Sequence, residues 1–379
     1  VALADGRVLV AGGENAGDGG YWSADSYSSA YVYDPAKDTW TKTGLMHQAR
    51  TDAAAALLKD GRVLIAGGYF RTHDSASLLP ALASYVGGDP ATPLDPTDVD
   101  VPPVGYALAT AEIWDPATGE WSRTGSLSFA RYGAGVTMLS DGRVMVAGSL
   151  SEDATTPTLA SSTAEIYDLA TGRFKLTRSL PEPDWPKLSK TLGFDLSPGP
   201  GQAMRTGALV ALPGGNALLA GQYLAWKHEA SLTRSLRYDA SADRWLETGF
   251  TYLGARDEYP SARHAETGTA PLVGVSAVAL RSGQVLIVGS PPSGRVEGFS
   301  GPDDAPGQLS DRGPVQLYDA ATDRWRSLAS LPAGRTIGAL VALRDGSLLA
   351  IGGTDANSSW PDPATPWGLR STLRFVPTR

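Results

Sequence analysis

The sequence predicts an all-β protein, laid out as an array of small antiparallel sheets. Two short patterns alternate along the 379 residues, each with fixed internal spacing. The first, DGRVLIAGG at 60–68, recurs at 5–13, 141–149, 214–222, 282–290 and 345–353. The second, YDPAKDTW at 33–40, recurs at 114–121, 167–174, 238–245 and 318–325. Self-similarity at such a period marks a repeat architecture in which each unit adds its own layer of core.

One unit, roughly 131–180, justifies the elements in order. Gly135–Leu139 is a short apolar run and predicts a first strand. Asp141-Gly142 follows, and Gly accepts φ > 0, so the pair predicts a two-residue hairpin turn. The same Asp-Gly stands at Asp5-Gly6, Asp60-Gly61 and Asp345-Gly346. Val144–Ala147 is the second strand, and it ends on a Gly whose missing Cβ permits close backbone approach. That Gly is doubled at Gly12-Gly13, Gly67-Gly68 and Gly352-Gly353, but the second position is Ser149, Gln222 and Ser290 in the middle units. After a variable connection, Ala164–Tyr167 is the third strand, Asp168–Gly172 a tight turn, and Phe174 starts the fourth. Trp40, Trp121, Trp245 and Trp325 hold the Phe174 position elsewhere, and one large aromatic per unit predicts packing between adjacent sheets.

The double glycine, the Tyr-Asp-Pro and the Trp together resemble the Kelch repeat over essentially the whole chain, in its bacterial type. The resemblance implies a six-bladed β-propeller with four-stranded antiparallel blades. The units fall at about 1–46, 50–127, 131–180, 205–249, 273–331 and 335–379. The first unit lacks most of its first strand, and no Trp-led strand follows Thr372–Val376 in the last. Both defects predict closure by an N-terminal segment absent from the sequence, which starts at Val1 without a visible signal peptide.

Composition excludes several functions. A net charge of −8 and a pI near 5.1 argue against nucleic acid, which needs a basic stripe, and against an anionic membrane surface. No apolar run approaches the ~18 residues that span a bilayer, so direct membrane insertion is not expected. With no cysteine there is no disulfide, thiol nucleophile or Cys-ligated zinc. The copper cofactor of the galactose-oxidase type of Kelch propeller, which needs a Tyr–Cys crosslink, is excluded with them. His47, His73, His228 and His264 match no short zinc motif, so neither metal nor cofactor is expected.

The connections between strands 1 and 2 and between strands 3 and 4 are short, whereas those on the opposite side are long and varied. They include 69–109, 181–204, 250–273, 291–313 and 354–369. Variable loops on a rigid scaffold predict a ligand face. It carries the aromatics Trp22, Tyr69, Trp185, Tyr223, Trp226 and Trp360, which suit sugar rings or a protein partner or else cap the loops' own small cores. Arg50, Arg131, Arg205 and Arg335 recur at the start of the first strand. In Kelch-like propellers this position points toward the central opening, where guanidiniums would bind a carboxylate; the other reading is hydrogen bonding to neighbouring backbone carbonyls.

The reading is therefore a non-catalytic binding or interaction module, exported to the periplasm, cell surface or outside. Its long-loop face takes a carbohydrate or a protein. One alternative is a carbohydrate-active enzyme of the sugar isomerase or mutarotase kind at the Arg-lined centre, with no catalytic residue fixed by spacing. Another is a structural domain of a larger cell-surface protein.

Overall fold

The computed structural model describes residues 1–15, 25–72, 104–149, 160–182, 184, 186, 190, 205–225, 230–254, 275–289, 315–328, 339–343, 347–351 and 372–375. Contacts divide the chain into two units. One comprises Val1–Met138, Gly142–Val146 and Glu165–Leu176; the other comprises Leu139–Asp141, Ala147–Ala164 and Thr177–Arg379.

Strands β1 (Val8–Ala11), β2 (Ala30–Asp34) and β3 (Thr39–Lys42) form a three-stranded sheet in that order. Next come β4 (Ala54–Leu57), β5 (Val63–Ala66), β6 (Tyr69–Thr72), β7 (Val104–Ala107), β8 (Ala111–Trp114) and β9 (Trp121–Arg123). Here the four-stranded order is β4-β5-β8-β9, and β6-β7 is a separate ribbon. The third sheet is β10 (Gly135–Met138), β11 (Val144–Ala147), β12 (Ala164–Asp168) and β13 (Arg173–Leu176). The fourth is β14 (Arg205–Ala211), β15 (Ala217–Ala225), β16 (Ala230–Asp239) and β17 (Arg244–Gly254), and the fifth β18 (Val275–Ala279), β19 (Gln284–Gly289), β20 (Val315–Asp319) and β21 (Arg324–Leu328). Strands β22 (Ala339–Ala342), β23 (Leu348–Ile351) and β24 (Thr372–Phe375) make the sixth sheet. Among the described residues the fold is all-β, built of antiparallel sheets in the strand order of propeller blades, with the β6-β7 ribbon additional to the second.

Three details differ from the sequence expectation. First, the Asp5-Gly6 and Asp60-Gly61 turns close three-residue loops: in the second, Leu58 N–H donates to Arg62 O at 2.7 Å and Gly61 N–H to Leu58 O at 3.0 Å. Only Gly61 has positive φ, at 89°, so Lys59-Asp60 makes an ordinary turn and Gly61 the left-handed residue after it. A two-residue loop of type I′ would need positive φ at both central positions, which the Asp does not adopt. Second, the ends of the long 69–109 connection pair with each other, Tyr69 opposite Ala107 and Arg71 opposite Gly105. Third, Tyr223 lies within β15 opposite Leu232, and β17 runs on to Gly254, so both are strand where a loop was expected.

The core lies between successive sheets. Leu9, Ala30 and Val32 of the first sheet pack with Val63, Ile65, Trp114 and Trp121 of the second. Ala56, Leu64 and Ile113 on the other side of the second sheet pack with Val144, Val146 and Tyr167 of the third. In the second unit, Val210, Leu218 and Ala220 meet Val285, Ile287 and Tyr318 in the same manner. A sheet covered on both faces reads as a continuous apolar run, and β5 and β11 are buried at every position.

The repeated aromatics hold these layers in register. Tyr33, Tyr167, Tyr238 and Tyr318 each oppose the Trp or Phe of the next strand, with ring centroids 4.8–5.2 Å apart. The Trp then reaches the sheet before it: Trp121 Nε1 donates to Gly44 O at 3.0 Å, Trp245 Nε1 to Thr177 Oγ1 at 3.2 Å, and Trp325 Nε1 to Thr248 O at 3.0 Å. Trp40 differs, at 60% exposed.

The turn between the third and fourth strands has two variants. Where Asp holds the left-handed position, as Asp38, Asp243 and Asp323 do, its carboxylate accepts the hydroxyl of Tyr33, Tyr238 or Tyr318 at 2.7–2.8 Å. Burial, then this contact with Asp323, pushes the Tyr318 hydroxyl well above its ordinary pKa. Where Gly119 or Gly172 takes the position, Trp114 Nε1 and Tyr167 Oη instead meet Thr43 Oγ1 and Thr124 Oγ1 of the preceding sheet, at 3.0 and 2.6 Å. An Asp at positive φ costs about 1–2 kcal/mol, and its hydrogen bond returns about as much. Asp323→Gly is therefore expected to change stability by less than about 1 kcal/mol, and Asp323→Ala to cost about 2 kcal/mol, in urea titration. Equal losses would mean that the left-handed backbone at position 323 carries no strain.

Candidate functional site

The long connections of the first unit start where β5 ends, at Gly67-Gly68, and where the next sheet begins, at Arg50 and Arg131. Two of the four recurrent arginines are thus described with their surroundings. Arg50 is 1% exposed. Its Nη1 donates to Gly67 O at 2.6 Å and Thr110 O at 2.9 Å, and its Nη2 to Glu112 Oε1 at 2.9 Å. Arg131 is fully buried, with Nη2 2.8 Å from Glu165 Oε1.

Both carboxylates also cap backbone. Glu112 accepts the N–H groups of His47 and Gln48 at 2.7 and 3.0 Å, and its Oε2 lies 2.9 Å from His47 Nδ1. Glu165 accepts the N–H groups of Ser128 and Phe129 at 2.7 and 3.4 Å. A buried charge is tolerated when it is paired and its remaining hydrogen-bonding capacity is used. These two guanidiniums therefore meet internal carboxylates, and Arg50 combines this with the carbonyl bonds of the second sequence reading. At these two positions the burial and the internal carboxylates favour the structural reading over an Arg-lined anion site.

Burial lowers the pKa of both arginines, with Glu112 and Glu165 opposing it. For Glu112, burial alone would raise the carboxyl, but the bonds from His47 and Arg50 outweigh it and hold the group below its ordinary value of about 4.5. A carboxyl depressed in the folded state contributes stability above that ordinary value and loses it as the pH falls through the depressed one. The urea midpoint is expected to fall as the pH drops below about 4.5, and Glu112→Gln to flatten this fall while lowering the midpoint at neutral pH. An unchanged acid slope would show that Glu112 is protonated alike in both states.

The ribbon β6-β7 stands beside this framework. Thr51 and Tyr69 exchange backbone bonds of 2.9 and 2.8 Å. Ser26 N–H donates to Arg71 O at 2.9 Å, and Arg71 N–H to Ser26 Oγ at 3.0 Å. On the inner face the Tyr69 ring lies over Gly105, where any Cβ would overlap it, and 5.0 Å from the Tyr132 ring. The Arg71 guanidinium sits 5.4 Å from the Tyr69 centroid and 3.7 Å from the Glu14 carboxylate. Tyr69 is thus a packed residue of the ribbon. The outer face carries Phe70 and Tyr106, opposite one another with centroids 5.3 Å apart and Tyr106 39% exposed.

Of the remaining expected site residues, Arg205 opens β14 opposite Gln222, and Tyr223 follows Gln222 on β15. Trp22, Trp185, Trp226, Arg335 and Trp360 lie outside the described residues. Glu112, Glu165 and Arg71 are the residues that sequence reasoning missed as parts of this framework. The signal for the first two was the recurrence of Ala-Glu-Ile before Trp114 and Tyr167. Among the described residues, no group of three or more His, Asp or Glu is placed to hold a metal ion, and no helix is long and apolar enough to cross a membrane.

Comparison with known proteins points the same way as the repeat. The Kelch motif family model matches residues 1–44. The Kelch-like protein terF of Aspergillus terreus is 35% identical over 89 residues, covering 22% of this chain and 19% of that protein. The F-box/kelch-repeat protein SKIP30 of Arabidopsis thaliana is 29% identical over 154 residues, or 39% of this chain and 40% of that one. The chain thus matches about a fifth and two fifths of the length of these curated relatives.

Proposed function

We propose, from the premise that this chain is a Kelch-repeat protein, that it is a non-catalytic interaction module whose long-loop face binds a protein partner. Kelch repeats mediate protein–protein interaction, and the local architecture of the first unit supports that use here. The observation that carries the reading is the occupancy of Arg50 and Arg131 by Glu112 and Glu165. Their charge is spent inside the protein, so the residues that differ from repeat to repeat, and so can select a ligand, are those of the long connections. Loops and a ribbon fixed to a rigid scaffold suit a broad contact surface.

Site-specific photo-crosslinking in the native source tests this. A crosslinker at Tyr27, 44% exposed on the long-loop side, is expected to capture a partner, while one on the short-turn side at Asp168 captures none. Capture from Asp168 alone would overturn the reading. A glycan array on the same protein separates the carbohydrate alternative: retention of an acidic sugar, without protein capture at Tyr27, would replace the protein partner with a sugar.

A further inference from the structure

We propose that the β6-β7 ribbon is a docking element for a basic segment of a partner protein, an extended stretch of Arg or Lys whose cations lie against the Phe70–Tyr106 pair. This rests on the protein-interaction reading and names the chemistry of the partner.

Three observations carry it. The ribbon is additional to the repeat: the four-stranded order β4-β5-β8-β9 is complete without it, and no other described sheet has one. Its inner face and inner edge are engaged through Thr51, Ser26, Tyr132 and the Arg71–Glu14 contact, so it is anchored before any partner arrives. Such preorganisation lowers the ordering cost of binding. Its outer face, by contrast, presents two aromatic rings 5.3 Å apart, the Tyr106 ring 39% exposed. Aromatic faces attract guanidinium and ammonium groups.

Charge selects the occupant. The 31 residues joining the two strands, 73–103, contain five Asp and no Glu, Lys or Arg. A chain of net charge −8 whose local sequence is this acidic steers cations toward the ribbon and repels anionic segments. The Arg71 guanidinium stacked on Tyr69 beside Glu14 shows the same combination of ring and carboxylate already holding a cation on the inner face.

The test is fluorescence anisotropy of the full chain with a labelled nona-arginine peptide, and with nona-glutamate as the opposite charge. Nona-arginine is expected to bind and nona-glutamate not to. Phe70→Ala with Tyr106→Ala is expected to weaken nona-arginine binding about tenfold. Phe70→Leu with Tyr106→Leu, which keeps apolar area but removes the rings, is expected to do the same with the fold intact by circular dichroism. Trp40→Ser removes an exposed aromatic elsewhere in the same unit and is expected to leave binding unchanged. Failure of nona-arginine to bind, or binding untouched by either double variant, overturns the proposal. Capture of a partner at Tyr27 would then still support the interaction reading, so the two can fail separately.

Discussion

Glu165→Ala is expected to destabilise the protein by about 3–5 kcal/mol, the usual consequence of leaving one partner of a buried ion pair without the other. The site meets the condition for so large an effect. Arg131 and Glu165 are both fully buried, their charged atoms are 2.8 Å apart, and Glu165 also caps the Ser128 and Phe129 N–H groups. Truncation therefore removes a counter-ion and two acceptors together. Against a total stability of about 5–15 kcal/mol, the loss should be plain as a lower urea midpoint in tryptophan fluorescence. The double variant Arg131→Met with Glu165→Leu is expected to recover much of it, because apolar side chains of similar volume can replace a buried pair at little net cost. The loss should also persist at high salt, since a dry pair is poorly screened. A Glu165→Ala loss below about 1 kcal/mol would mean that solvent reaches Arg131, and would return that guanidinium to the candidates for an anionic ligand.

That result bears on what could be read from the sequence. The strands, the once-per-unit Trp and the sidedness of the connections were legible because each depends on local spacing: an apolar run, a turn residue, a period. The fate of Arg50 and Arg131 was not. Their partners lie 62 and 34 residues downstream, and the position holding Glu112 and Glu165 is Leu236 in β16 and Gln316 in β20. A contact made in two sheets and replaced in others leaves little periodic trace. The ribbon was hidden for a related reason. Tyr-Phe-Arg-Thr and Val-Gly-Tyr-Ala are β-prone, but a Pro- and Asp-rich stretch separates them where a hairpin signal would normally stand.

Gly67→Ala is expected to cost at least about 3 kcal/mol, whereas Gly61→Ala, also at positive φ, is expected to cost about 1–2 kcal/mol. The φ angles are 67° and 89°, so backbone strain alone does not separate the two positions. Their surroundings do. A Cβ on Gly61 meets nothing within 4 Å, while one on Gly67 would overlap the carbonyl oxygen of Arg131, the first residue of the next sheet's approach. Gly12 meets Arg50 O in the same way, and the adjacent N–H groups of Gly13 and Gly68 donate to Arg50 O and Arg131 O at 3.0 and 2.8 Å. Gly12 and Gly67 are thus the points where one sheet's backbone seats the arginine backbone of its successor. The Arg50 side chain then turns to the second sheet's own Gly67 O and Glu112. In the sequence the first glycine stands in all six units, while the second gives way to Ser149, Gln222 and Ser290; at Gly12 and Gly67 the contact accounts for the first. Paired urea titrations of the two alanine variants check the point. Equal losses would show that the left-handed backbone, and not the inter-sheet contact, is what the repeat preserves.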